Sequence, residues 1–214
     1  EMAEVADSLN RVFVLDSVNG LGGEELDVAG PHLYMVAGSS HDCLQGVPGV
    51  SFVLVRKGFM ERMKAYPKRS WYLHLPYYYE DAERGRSPVT PAVQVFRAFD
   101  EALNELLEEG VAARIRRYKH ASALIRKKMG ELGMKPLLPA EFQSNSLTAY
   151  HLPDGVAYQT LHDKLKEQGY VIAPGLGPFE GKIFRVANMG ALTEQQIGGF
   201  LAAFQSVMKT LAAC

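Results

Sequence analysis

Three short runs in the first 55 residues are built almost wholly of apolar side chains: VFVL at 12–15, LYMVA at 33–37 and SFVLV at 51–55. Runs this short and uniform read as strands buried on both faces, the pattern of a parallel sheet covered by helices. They place the chain in the α/β class. They also set a requirement, because parallel strands need helices on both faces and strand neighbours at both edges. Three strands are too few to bury themselves. The chain is therefore expected to be the C-terminal part of a larger fold, or to take its missing strands from a partner chain.

The rest of the pattern divides the chain. Met2, Val5, Ala6 and Leu9 recur at helical spacing, and NGLGG (19–23) is a turn cluster after the first strand. A helix is predicted from Lys57 to Ala65, followed by an irregular aromatic segment over 70–88. Thr90-Pro91 has the form of a helix start, Thr as N-cap and Pro as the first helical residue. Gly110 breaks the helix that follows, and a second long helix runs over 111–133. Beyond KPLLP (135–139) come strands at 146–152, 170–175 and 182–188 with a helix at 157–168. A last helix starts at Thr193, where Gln196 completes a capping-box spacing. The expected organisation is a partial large domain over 1–110, a connecting helix over 111–133, and a small α+β domain with strands of mixed direction over 134–214.

Bulk properties exclude several function classes. Of 214 residues 47% are hydrophobic and 22% charged, with a formal net charge of -1. That balance gives no electrostatic case for nucleic acid or an anionic membrane surface. No apolar run approaches the ~20 residues of a spanning helix. EMAEVADSLN carries no signal-peptide pattern, and Cys43 and Cys214 make no disulfide framework, so a reducing cytoplasm is the expected compartment.

Between the second and third apolar runs lies GSSHDCLQGVPG (38–49), small and polar, with Asp42 at its centre. Polar residues just past strand ends are where an α/β sheet places its site. His41, Asp42 and Cys43 are consecutive, so their side chains diverge, which does not suit a catalytic triad or dyad. No second ligand pair stands at a zinc-like spacing, and no metal site is expected. Cys43 reads as a small packing residue. Arg185, flanked by Phe184 and Val186, needs an anionic partner, either a ligand or a structural salt bridge. Trp71 and Tyr77–Tyr79 read as packing or dimer surface.

VLDSVNGLGGEELDV, SSHDCLQGVPGVSFVL, TPAVQVFRAFDEAL, GVAARIRRY, LKEQGYVIAPG and IFRVANMG, in this order over nearly the whole chain, resemble the class V pyridoxal-phosphate (PLP) aminotransferases. Within that family the resemblance is closest to the branch that moves an amino group from 2-aminoethylphosphonate, or a small amino acid, to pyruvate. It implies aminotransferase fold type I, a homodimer, PLP as cofactor, and a small-molecule amino donor and keto acid as partners. The family's Gly/Ser/Thr turn for the cofactor phosphate has no counterpart in the sequence.

Carried over residue by residue, Asp16 matches the carboxylate that pairs with the protonated pyridine nitrogen and keeps the ring an electron sink. A strand-end Asp capping the next turn is the alternative. His41 matches a polar residue that helps bind the cofactor phosphate, and Ser39 is a neighbouring candidate; solvated turn residues are the alternative for both. Thr90 matches the threonine that reaches the phosphate of the neighbouring subunit's cofactor, a role compatible with helix capping. Arg185 matches the arginine that grips the substrate carboxylate or phosphonate. Asp42 stands where the family has the lysine that forms an imine with the cofactor and moves the proton. Asp has no amine and cannot form that bond. The sequence is thus expected either to be a partial or altered form of an active enzyme, or a non-catalytic relative that dimerises or binds as a scaffold.

Overall fold

The computed structural model describes residues 2–212, so Cys214 lies outside the described residues. It divides into two compact units, one comprising the chain up to Leu21 with Leu26–Glu105, the other Gly22–Glu25 with the chain from Leu106 on.

The first unit opens with helix α1 (Met2–Ser8) and strands β1 (Phe13–Asp16), β2 (Leu33–Ser39) and β3 (Ser51–Val55), in sheet order β1-β2-β3. β1 and β2 are parallel, Phe13 opposite Leu33 and Asp16 opposite Ala37. β3 is antiparallel to β2, with Met35 opposite Val55 and Ser39 opposite Ser51. This corrects the expectation of three parallel strands. A parallel return needs a crossover, usually a helix, and residues 40–50 contain only a single 3-10 turn. Nor are the outer strands buried on both faces: β1 alternates between half-buried and exposed positions, and Val14 and Leu54 are each 45% exposed. The apolar run therefore reports strand propensity here, while burial is limited by having only one central strand.

The core of this unit holds Leu33, Val36, Leu44, Val50, Phe59 and Met60. Phe59 comes from α2 (Lys57–Lys64) and meets Tyr34 edge-on at 5.4 Å. Arg56 precedes that helix and fastens the loop before β2, its Nε donating to Leu33 O at 2.7 Å and its Nη2 to Ala29 O at 3.0 Å. The aromatic segment expected to be irregular contains helix α3 (Leu75–Glu83), with Pro76 in its first turn where no N–H is needed. Trp71 is exposed, and Lys68 lies over the Tyr77 ring at 4.2 Å. Helix α4 (Val93–Glu109) stacks Phe99 on Phe52 at 5.6 Å.

The second unit packs α5 (Val111–Glu131), α6 (Tyr158–Glu167) and α7 (Glu194–Ala212) with β4 (Leu147–His151), β5 (Ala173–Pro174) and β6 (Ile183–Ala187). The sheet order is β4-β6-β5, and both pairings are antiparallel. β5 is shorter than the run at 170–175 suggested. Gly169 sits at φ 87° and Tyr170 N bonds back to Leu165 O at 3.0 Å, so these residues close α6 instead of joining the sheet. The core gathers Tyr150, Leu161, Leu165, Phe184, Val186 and Phe204 with α5 residues Ile125 and Met129. The capping box at the head of α7 is formed: Gln196 N donates to Thr193 Oγ1 at 3.2 Å, and Thr193 N to Gln196 Oε1 at 2.8 Å.

Two polar clasps hold this unit. Glu109, just before the break at Gly110, accepts from Arg114 Nε at 2.6 Å and from Arg117 Nε at 2.7 Å. Arg117 Nη1 reaches on to Gly190 O at 2.8 Å, past the end of β6. Glu24 accepts from Asn145 N at 2.6 Å and Asn145 Nδ2 at 2.7 Å, and Asn188 Nδ2 donates to Asn145 O at 2.8 Å. Among the described residues no helix is long and apolar enough to cross a membrane.

Two predictions test this account. The Glu109 carboxyl is lowered from 4.5 to about 2, chiefly by hydrogen bonding to Arg117, with desolvation opposing and Arg114 reinforcing. Its folded value lies below its unfolded one, so the clasp contributes fully above the unfolded value and is lost as pH falls through the folded one. Glu109→Gln should cost on the order of 1–2 kcal/mol near neutrality after solvent screening, and the difference from the parent should shrink as the pH falls below about 5 and disappear only below about 2. Thermal unfolding against pH measures it. Leu161, fully buried between α6 and the core, should cost about 2–5 kcal/mol as Leu161→Ala, read as a lower denaturant midpoint.

Candidate cofactor and anion site

Parallel pairing of β1 and β2 brings the carboxyl ends of both strands to one edge, and Ser17 N continues the ladder to Ala37 O at 2.9 Å. Asp16 and the loop from Ser39 onward leave the sheet there, as expected of an α/β site. Ser40, fully buried, closes the loop: its N donates to Val50 O at 2.9 Å, its Oγ to Val47 O at 2.6 Å, and its carbonyl accepts from Gly46 N at 2.8 Å. Sequence reasoning missed Ser40, because nothing in a run of two serines distinguishes the one that turns inward. Cys43 is fully buried, and its Sγ lies 3.3 Å from Asn19 O, which ties this loop to the turn after β1.

Within this frame, Asp42 opens the one-turn 3-10 helix Asp42–Leu44 at φ 56°, the left-handed region that Asp tolerates better than most residues. Gln45 N returns to Asp42 O at 3.1 Å. His41 Nε2 lies 3.6 Å from Asp42 Oδ2, so these two side chains approach each other instead of diverging as expected, and only Cys43 turns away, inward to Asn19 O. Ser39 is buried, and its Oγ has no hydrogen-bond partner; neither has the buried Nδ1 of His41. A buried polar atom left unpaired costs roughly 1–3 kcal/mol, so these two atoms of one loop, like Tyr150 Oη in the second unit, are candidates for a further partner.

Other candidates stand differently. Asp16 is exposed, not buried, because β1 is an edge strand. Its Oδ1 accepts from Val18 N at 3.1 Å, so the turn-capping alternative holds, while Oδ2 makes no hydrogen bond or ion pair among the described residues. Thr90 is not a helix N-cap. Helix α4 starts at Val93, Phe96 N bonds to Ala92 O at 3.0 Å, and Ser87 Oγ holds the preceding segment in a turn through Val89 O at 2.7 Å. A hollow of about 540 Å³ lined by Ser87, Pro91, Val93, Phe96, Arg97 and Asp100 lies beside it.

Arg185 belongs to the second unit. On β6 it faces away from the core side occupied by Phe184 and Val186, and its partners across the sheet are the small residues Ala149 and Ala173. Its Nε donates to Pro174 O at 2.8 Å. No carboxylate among the described residues pairs with it, so the salt-bridge alternative is not realised and both terminal nitrogens remain open to an anion. Among the described residues no group of three His, Cys, Asp or Glu side chains is placed to hold a metal.

Comparison with known proteins bears on these features together. No protein-family model matches the chain. Its fold is that of the PLP-dependent aminotransferases: a pyridoxamine–pyruvate aminotransferase from Mesorhizobium loti superposes with a TM-score of 0.91 at 23% identity, covering 99% of this chain and 55% of that one. An aspartate aminotransferase from Thermus thermophilus gives 0.86 at 27% identity, covering 98% and 59%. More particularly, the chain is a homologue of curated proteins named 2-aminoethylphosphonate–pyruvate transaminase. It is 34% identical to that of Klebsiella pneumoniae, covering 97% of this chain and 58% of the relative, and 35% identical to that of Bacillus cytotoxicus, covering 92% and 54%. The chain thus spans a little over half the length of the curated relatives it matches.

The loop closure sets a test. A Cβ on Gly46 would lie 2.5 Å from Ser40 O and 3.4 Å from the Phe99 ring. Gly46→Ala should break the Gly46–Ser40 bond and lower stability by about 1–3 kcal/mol, read by chemical denaturation.

Proposed function

We propose that this chain holds a pyridoxal-phosphate-type cofactor at the loop after β2, without the lysine that such transaminases use, and that Arg185 binds the anionic end of a 2-aminoethylphosphonate-like amine or its keto-acid counterpart. The observation that carries the reading is the pair of buried, unpartnered polar atoms, Ser39 Oγ and His41 Nδ1, at the carboxyl ends of parallel strands. A hydroxyl and an imidazole edge fit the oxygens of a phosphate. Asp16 Oδ2 would accept from a protonated pyridine nitrogen, and Thr90 would reach the phosphate held by a second copy of the chain. When bound, such a cofactor supplies an electron sink for the substrate's α-carbon. Arg185 would orient the substrate by a two-pronged grip on its carboxylate or phosphonate, since Pro174 O fixes the guanidinium through Nε.

Asp42 does not fit the covalent part of that chemistry. It has no amine to bond the cofactor and does not reach as far as a lysine to move a proton. Turnover by the lysine route is therefore not expected of the chain as it stands. A second reading, a homodimeric binding scaffold, is favoured by the same residue and by the apolar side chains of Val93 and Phe96, each half or more exposed beside Thr90. A cytoplasmic compartment fits a chain whose two cysteines, Cys43 and Cys214, make no disulfide framework.

The test is titration calorimetry of the whole chain with 2-aminoethylphosphonate and with pyruvate in the presence of cofactor. Arg185→Gln should weaken binding of both by about 10–100-fold, with Arg185→Lys between. Equal affinities in parent and Arg185→Gln would overturn the assignment of Arg185.

A further inference from the structure

We propose that Asp42 makes this loop a site for the amine form of the cofactor, pyridoxamine 5'-phosphate, held without a covalent bond and in preference to the aldehyde form. The inference rests on the cofactor reading above and goes beyond it, to which form the site selects and which residue selects it.

The loop presents Asp42 on a fixed backbone. Its φ of 56° is held by Gln45 N on Asp42 O, by the Cys43 anchor on Asn19 O, and by the Ser40 clasp across the loop. The carboxylate is about one-fifth exposed. The same loop carries the two unpartnered atoms, Ser39 Oγ and His41 Nδ1, and the other ring nitrogen of His41 lies 3.6 Å from the carboxylate. A lysine here would present an amine to an aldehyde. A carboxylate presents only acceptor oxygens. Toward an aldehyde they meet the carbonyl oxygen, another acceptor, and gain nothing. Toward an aminomethyl ammonium they meet a cation with three N–H donors, giving a charge-assisted hydrogen bond.

Net charge points the same way. A phosphate and Asp42 in one loop are both anionic, and His41 Nε2 at 3.6 Å from Asp42 is a loose partner at that distance. The ammonium of the amine form offsets this repulsion, whereas the neutral aldehyde does not. The position that selects the aldehyde when it carries an amine thus selects the amine when it carries a carboxylate.

The test is calorimetric titration of the whole chain with pyridoxal 5'-phosphate and pyridoxamine 5'-phosphate separately, with no substrate present. The amine form should bind about tenfold or more tightly than the aldehyde. Asp42→Asn keeps a residue suited to the left-handed backbone while removing the charge, and should bring the two affinities within about twofold. Borohydride treatment of parent protein mixed with the aldehyde form should leave no stoichiometric mass addition, whereas Asp42→Lys should acquire one. Equal affinities in the parent, unchanged in Asp42→Asn, would overturn the inference and leave the cofactor site standing. A stoichiometric adduct on the parent would overturn it by showing that another lysine takes the aldehyde. No binding of either form to the parent, Asp42→Asn or Asp42→Lys would overturn the cofactor reading and this inference with it.

Discussion

The parallel ladder between β1 and β2 is the constraint on which the candidate site depends. With Asp16 opposite Ala37 and Ser17 N bonded to Ala37 O, both strands end together, and both of the loops that leave them emerge at one edge. Antiparallel pairing of the same two strands would send Asp16 and the Ser39–Gly49 loop to opposite ends of the sheet. The ladder alone does not shape the loop. That is done by Ser40, whose three hydrogen bonds span the loop from Gly46 to Val50, and by Cys43, whose buried thiol meets the turn after β1. Once these contacts are satisfied, Ser39 Oγ and His41 Nδ1 are the buried polar atoms of the loop left without a hydrogen-bond partner among the described residues.

The second unit solves a different problem, that of presenting a cation on a sheet. Arg185 alternates with the core residues Phe184 and Val186, so the pleat turns it to the other face. Its sheet neighbours on β4 and β5 are alanines, and Pro174 O accepts from its Nε without neutralising it. The contrast with Arg114 and Arg117 is instructive. Those two share a carboxylate across the break at Gly110 and reach the segment beyond β6, so they act in stability. Arg185, by contrast, pairs with no carboxylate among the described residues and is held through Nε by Pro174 O.

Asp42 gives the chain its individual character. Around it the loop is built as a ligand loop should be, with a rigid backbone and unsatisfied donors. At its centre stands a carboxylate on a left-handed backbone, 3.6 Å from His41 Nε2. A general decay of the site would be expected to loosen the loop as well, but Ser40, Gly46 and Cys43 keep it tightly closed.

The sequence by itself determined the element types and most of their positions, the α/β class, the break at Gly110, the capping box at Thr193, and the clustering of polar residues past the strand ends. These are local properties, written in period, propensity and turn chemistry. Only the tertiary structure decided the direction of β3, the exposure of Asp16 and Val14, the helix within the aromatic segment, and the freedom of Arg185 from any salt bridge. The clasps made by Glu109 and Glu24 were equally illegible, since each joins residues separated by a helix break or by more than a hundred positions. Strand direction, burial and ion pairing depend on which neighbours the chain brings together in space, and no local pattern encodes that.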